Sequence, residues 1–140
     1  MSGQQVDELV KTVIGAGTPS VAGIETLLGV TLKRTQENPH WTFYAFELAG
    51  GPFQGGEFRL SLAGDRALLS LSPRDSAPLT EASFDLRQWG SATNVDINPQ
   101  IPPEGTDAYT YAVNGTRLSF QFTHLSRRLR TVTVEWGRKN

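Results

Sequence analysis

The sequence predicts a single α+β domain over residues 1–140, with two N-terminal helices packed on a mainly antiparallel, meander-like sheet of about seven strands. Three observations carry this. Apolar residues recur with a helical period up to residue 29, and with a period of two over 30–136. Turn residues punctuate the second region at short intervals. Asn114-Gly115 between two alternating runs is a strong hairpin signal, because both residues tolerate the positive φ of a type I′ turn.

The elements follow in order. Val6, Leu9, Val10, Val13 and Ile14 fall on one helical stripe, and Gly15 and Gly17 stop that helix. A second helix is expected to start at Thr18-Pro19, present Val21, Ile24, Leu27 and Leu28 on one side, and end at Gly29. Gly23 inside it costs about 1 kcal/mol against Ala, so the helix needs tertiary support. Val30 and Leu32 then begin one strand, and 41–48 form another after a turn at Asn38-Pro39. The second is apolar on both faces, which predicts a central strand covered on both sides.

Residues 50–56 read as a Gly-rich loop that exposes Phe53. Phe58, Leu60 and Leu62 alternate along a half-buried strand, and Gly64-Asp65 turns the chain into a partner over 67–71. A polar connection with two prolines covers 73–83. The segment 83–89 fits either period and is read as a strand. Three prolines make 98–105 an extended loop. Tyr109, Tyr111, Val113, Leu118, Phe120 and Phe122 should share the buried face of the Asn114-Gly115 hairpin. A turn at 124–128 leads to Val132, Val134 and Trp136, which close the sheet.

Composition bounds the chemistry. A 140-residue chain can bury roughly 70% of its unfolded surface, so no covalent or metal staple is required. The absence of Cys removes disulfides, thiolate catalysis and Cys-based zinc sites. The first residues carry neither a basic nor an apolar signal region, and no stretch reaches the ~20 apolar residues of a membrane span. The expected location is the cytoplasm, with no membrane partner. The net charge of −1 divides unevenly: residues 1–110 hold 13 acidic and 7 basic side chains, whereas 111–140 hold 6 basic and one acidic. Such asymmetry is read either as an electrostatic partner surface or, as expected here, as charges that cancel in space because the last strands pack beside the acidic ones.

His40 and His124 both fall at turns, without a second His at i+3 or i+4. They are expected to be surface residues, essential to no activity. The carboxylates Glu47, Glu57, Asp85 and Asp96 are scattered. The 15–18 run resembles a phosphate-binding turn but follows a helix, which makes it a linker. Arg127, Arg128 and Arg130 form the one basic cluster, read as a solvated edge and not as a nucleic-acid site. No catalytic, cofactor-binding or metal-binding residue is assigned.

Taken whole, the chain is similar to the small cytoplasmic immunity proteins that neutralise toxins of contact-dependent and type VI secretion systems. The resemblance rests on the helical lead, the 41–48 strand, the 50–56 loop, the 98–105 loop before the Asn114-Gly115 hairpin, and the closing Val134-Glu135-Trp136. It implies a bacterial, non-catalytic protein that binds one cognate toxin one-to-one and occludes its active site. The expected partner surface is Phe53 with the acidic residues Asp96, Glu104 and Asp107, set among backbone-restricting prolines. Two other readings stay open: a small-molecule-binding or enzymatic domain with a cystatin-like or nuclear-transport-factor-like pocket, and a secretion-system accessory subunit or chaperone.

Overall fold

In the computed structural model the described residues are 3–15, 19–74, 79–101 and 104–137. Two helices, α1 (Gly3–Gly15) and α2 (Val21–Leu28), precede eight strands: β1 (Lys33–Glu37), β2 (Trp41–Glu47), β3 (Phe53–Ser61), β4 (Ala67–Pro73), β5 (Asn94–Asn98), β6 (Thr106–Val113), β7 (Thr116–Thr123) and β8 (Leu129–Trp136). The strands form one antiparallel sheet in the order β1-β2-β3-β4-β8-β7-β6-β5. It is therefore two four-strand meanders joined where β4 pairs with β8. Trp136, expected to close the sheet, lies on a central strand.

Several boundaries differ from the expected ones for local reasons. The second helix is capped by Ser20, whose side chain accepts the Gly23 N–H, so Pro19 lies outside it. Thr18 and Gly17 fall outside the described residues. Gly29 ends the helix at φ 68°, as its position predicts. Val30 and Leu32 precede β1, whose five residues are all exposed. Charged side chains and an irregularity between Arg34 and Gln36 guard this edge strand.

The core lies on one face of the sheet, against the apolar stripes of the helices. Phe58, Leu69, Leu118, Phe120, Phe122, Val132 and Val134 form one cluster with Val6, Val10, Val13 and Ile24. Each buried phenyl contributes about 1.5–3 kcal/mol relative to exposure. On the other face Trp41 and Phe43 stay half-exposed beneath the guanidinium groups of Arg66 (5.2 Å) and Arg59 (4.9 Å). Thus β2 is not covered by a second layer; arginines shield its outer aromatics.

The hairpin forms as read. Asn114 and Gly115 have φ of 49° and 81°, and register places Tyr109 opposite Phe120 and Tyr111 opposite Leu118. The connection from β4 to β5 crosses the core face. It holds two short 3-10 turns, Glu81–Ser83 and Leu86–Trp89, the second within the 83–89 segment that was expected as a strand. Phe84 sits 5.7 Å from Phe120 and 6.1 Å from Phe122, so helical spacing serves to cover the sheet here. Residues 94–98, where no strand was expected and whose last residue begins the expected 98–105 loop, form the far edge strand β5.

Candidate functional site

The densest polar cluster surrounds the turn between β7 and β8. Residues 79–81 of the crossover run beside this turn: Glu81 N–H donates to the Arg127 carbonyl at 2.9 Å and Leu129 N–H to the Leu79 carbonyl at 2.8 Å. The start of β6 approaches from the other side, where His124 N–H donates to the Gly105 carbonyl at 2.9 Å. Three segments distant in sequence therefore meet at one corner. Their side chains then lock it.

Asp107, at the start of β6, is 6% exposed. Its carboxylate accepts from His124 Nδ1 at 2.9 and 3.1 Å, and from Arg127 Nη1. Burial alone would push this carboxyl up, but hydrogen bonds from His124 and Arg127 outweigh burial and hold it below its ordinary value. Arg127 adopts φ 58°, a left-handed conformation that side-chain bonds must stabilise. Its Nε donates to Glu81 Oε1 at 2.8 Å and its Nη2 to the Tyr109 hydroxyl. Those bonds, Glu81 first, raise its already high pKa further.

Glu104 caps the same turn. Its carboxylate accepts the backbone N–H groups of Leu125 and Ser126 and the Ser126 hydroxyl. The Ser126 N–H is the main reason its carboxyl titrates low. Inside the turn, Thr123 Oγ1 lies 2.6 Å from Ser126 Oγ and accepts Arg128 N–H at 2.8 Å. These bonds engage the backbone N–H groups of Leu125, Ser126 and Arg128 and hold the turn in one conformation.

The expected partner residues are thus redistributed. Phe53 is fully buried in β3, not exposed in a loop. The Gly-rich run 50–56 shortens to a turn, because Gly55 and Gly56 continue β3. A Cβ on Gly56 would lie 1.9 Å from the Ser70 carbonyl oxygen, so β4 packs where only glycine fits. Asp107 is buried and turned inward. Asp96 is exposed on β5, beside Ala108 in the register. Glu104 and Asp107 do converge, but on the turn and not on solvent.

The corner also gathers apolar surface. The exposed large hydrophobic side chains among the described residues are Leu62, Val95, Ile97 and Leu125, and three of these four lie here. Ile97 faces Asp107 in the register and Val95 faces Tyr109. Leu125, 75% exposed, sits at the tip of the turn next to His124. Val95 and Ile97 alternate with Asn94, Asp96 and Asn98, a period-two signal that the sequence reading left unused, whereas nothing local marks Leu125. Their grouping arises from β5 pairing with β6, which the sequence reading did not foresee.

A buried carboxylate holding Nδ1 of an imidazole is an arrangement that can orient a general base. Here the ionised carboxylate also holds Arg127, and the ring is about half-exposed at a turn tip. The neighbouring cleft, about 370 Å³, is lined by Gln54, Ser72, Arg74, Thr123, Arg128 and Arg130 among others, and not by His124. Arg128 and Arg130 therefore line a cleft beside the central β4–β8 pair and not a sheet edge, with Arg128 exposed to solvent as expected. Among the described residues no group of three or more acidic, His or Cys side chains is placed to hold a metal. No described helix is long and apolar enough to cross a membrane. Comparison with protein families, with curated proteins and with solved structures finds no match.

Proposed function

We propose that the chain is a non-catalytic protein-binding domain, an immunity-type inhibitor that occludes the active site of one cognate toxin. Its contact surface is the corner formed by Leu125, Ile97 and Val95 around the Asp107–Arg127 cluster. One observation carries the reading: exposed Leu125 tips a turn whose amides are bound by Glu104 and whose His124 and Arg127 side chains are held by Asp107, and exposed Ile97 and Val95 lie opposite Asp107 and Tyr109 on the adjoining edge strand. Binding energy concentrates in a few apolar or aromatic anchors, and a rigid display lowers the entropy cost of ordering them. Resemblance to immunity proteins supplies the partner class; the corner supplies the surface.

The test is co-expression with a toxin domain encoded beside the gene, scored by growth rescue and by a one-to-one complex in size-exclusion chromatography with light scattering. Leu125→Asp and Ile97→Asp should abolish both while leaving the circular dichroism spectrum and thermal midpoint unchanged. Rescue at wild-type level by the folded double variant would move the contact surface elsewhere. Failure of the wild-type chain to rescue would remove the inhibitor reading.

A further inference from the structure

We infer that the cleft between the ends of β4 and β8 is a binding site for a small soluble phosphate-bearing ligand. This inference is independent of the toxin reading. It starts from the arginines. Arg34, Arg59, Arg66, Arg87, Arg117 and Arg127 each form an ion pair with a carboxylate. Arg74 and Arg128 pair with no carboxylate among the described residues, and both line this one cleft, together with Arg130.

Arg74 is held in place by neutral groups. Its Nε donates to the Gly51 carbonyl at 2.9 Å and its Nη2 to the Leu48 carbonyl at 2.5 Å. Those bonds fix the guanidinium without cancelling its charge, which is how a site is prepared for an anion. Arg128 enters from the residue before β8 and Arg130 from its second residue. Gln54, Ser72, Thr123 and Ser126 add polar side chains to the wall. Glu104 is the one carboxylate among the described lining residues; the amides and hydroxyl of the turn hold its oxygens against the turn, and its remaining single charge is outnumbered by the guanidinium groups of Arg74 and Arg128.

The volume of about 370 Å³ lies at the small end of ligand sites, so one oxyanion with a compact remainder fits. Several converging guanidinium groups suit a phosphate, whose three terminal oxygens accept more charge-assisted hydrogen bonds than a carboxylate.

The probes are inorganic pyrophosphate and acetate, titrated into the ¹⁵N-labelled full chain at low and moderate salt. Pyrophosphate should give saturable amide shifts confined to residues 72–74 and 123–130, weakening as salt rises. Arg128→Gln and Arg74→Gln should each weaken binding about tenfold, the loss expected for one charge-assisted contact. Arg87→Gln, which removes a charge outside the cleft, should leave it unchanged. If Arg74→Gln lowers the thermal midpoint, Arg128→Gln alone decides, since its guanidinium makes no bond to another described residue. The assignment is overturned by shifts that do not saturate, by equal weakening in Arg87→Gln, or by acetate binding as tightly as pyrophosphate. It is overturned too if the chain co-sediments with phosphatidic-acid vesicles but shows no response to soluble pyrophosphate.

Discussion

Asp107 and Arg127 lie 20 residues apart in sequence and form the ion pair on which the β7–β8 turn closes. The carboxylate is buried, and the arginine reaches it from a left-handed backbone conformation. Asp107→Asn keeps the shape but removes the charge that holds both His124 and Arg127. The expected loss is about 1–3 kcal/mol, the range for charge-assisted hydrogen bonds at a partly buried site. Urea unfolding at neutral pH measures it. An unchanged midpoint would mean that the turn holds itself without Asp107.

The same geometry sets an acid limb. The carboxyls of Asp107 and Glu104 both titrate lower in the fold than in the unfolded chain. The folded state therefore binds fewer protons across that interval, and stability falls as pH drops. Their contribution is present in full above the ordinary carboxylate range and is lost as pH falls through the depressed folded values. In Asp107→Asn with Glu104→Gln, the acid limb should flatten, so that its stability approaches that of the wild type at low pH. Parallel curves for the two proteins, measured by urea midpoint against pH, would contradict this.

The core was legible where apolar residues alternate between clear turns. Tyr111, Leu118, Phe120 and Phe122 are buried as their period-two spacing requires. Phe53 was not legible, because flanking glycines imitate a loop when they in fact allow close strand packing. The 83–89 segment carried both periods, and tertiary packing of Phe84 on Phe120 selected the compact turn over the strand. Of the site, Glu104 and Asp107 were visible as acids near prolines. Arg127 was visible only as part of a basic cluster; its pairing with Asp107 and Glu81 was not, since Glu81 and Arg127 lie 46 residues apart and only the crossover joins them.

Truncations at three apolar residues should separate core from surface. Phe53→Ala and Phe120→Ala each remove a fully buried phenyl group, with an expected cost of about 3–5 kcal/mol. Leu125→Ala should change stability by less than about 0.5 kcal/mol, as exposed positions generally do. Urea denaturation of the three variants makes the comparison. A Phe53→Ala loss as small as that of Leu125→Ala would return Phe53 to the surface and undo the β3 register.

Asp7 of α1 works against stability at neutral pH. It is 8% exposed, and its Oδ1 has no hydrogen-bond partner among the described residues. Burial raises its carboxyl pKa; Gln88 and Lys11 pull it down, and Asp85 and Glu8 push it up again. A raised folded pKa means that the folded state binds the proton more tightly than the unfolded chain does. At neutral pH the ionised group therefore costs stability, and that cost disappears as pH falls through the raised value. Asp7→Asn removes the charge at nearly constant shape. It should raise the urea midpoint at pH 7, with a gain that narrows as pH falls through the raised folded value, where the wild-type side chain takes up its proton. Asp96→Asn, the same change at an exposed edge-strand position, controls for net charge. If Asp7→Asn gains no more than Asp96→Asn at pH 7, the buried charge on α1 is already compensated, and the packing of this helix against the 85–88 segment must supply the missing partner.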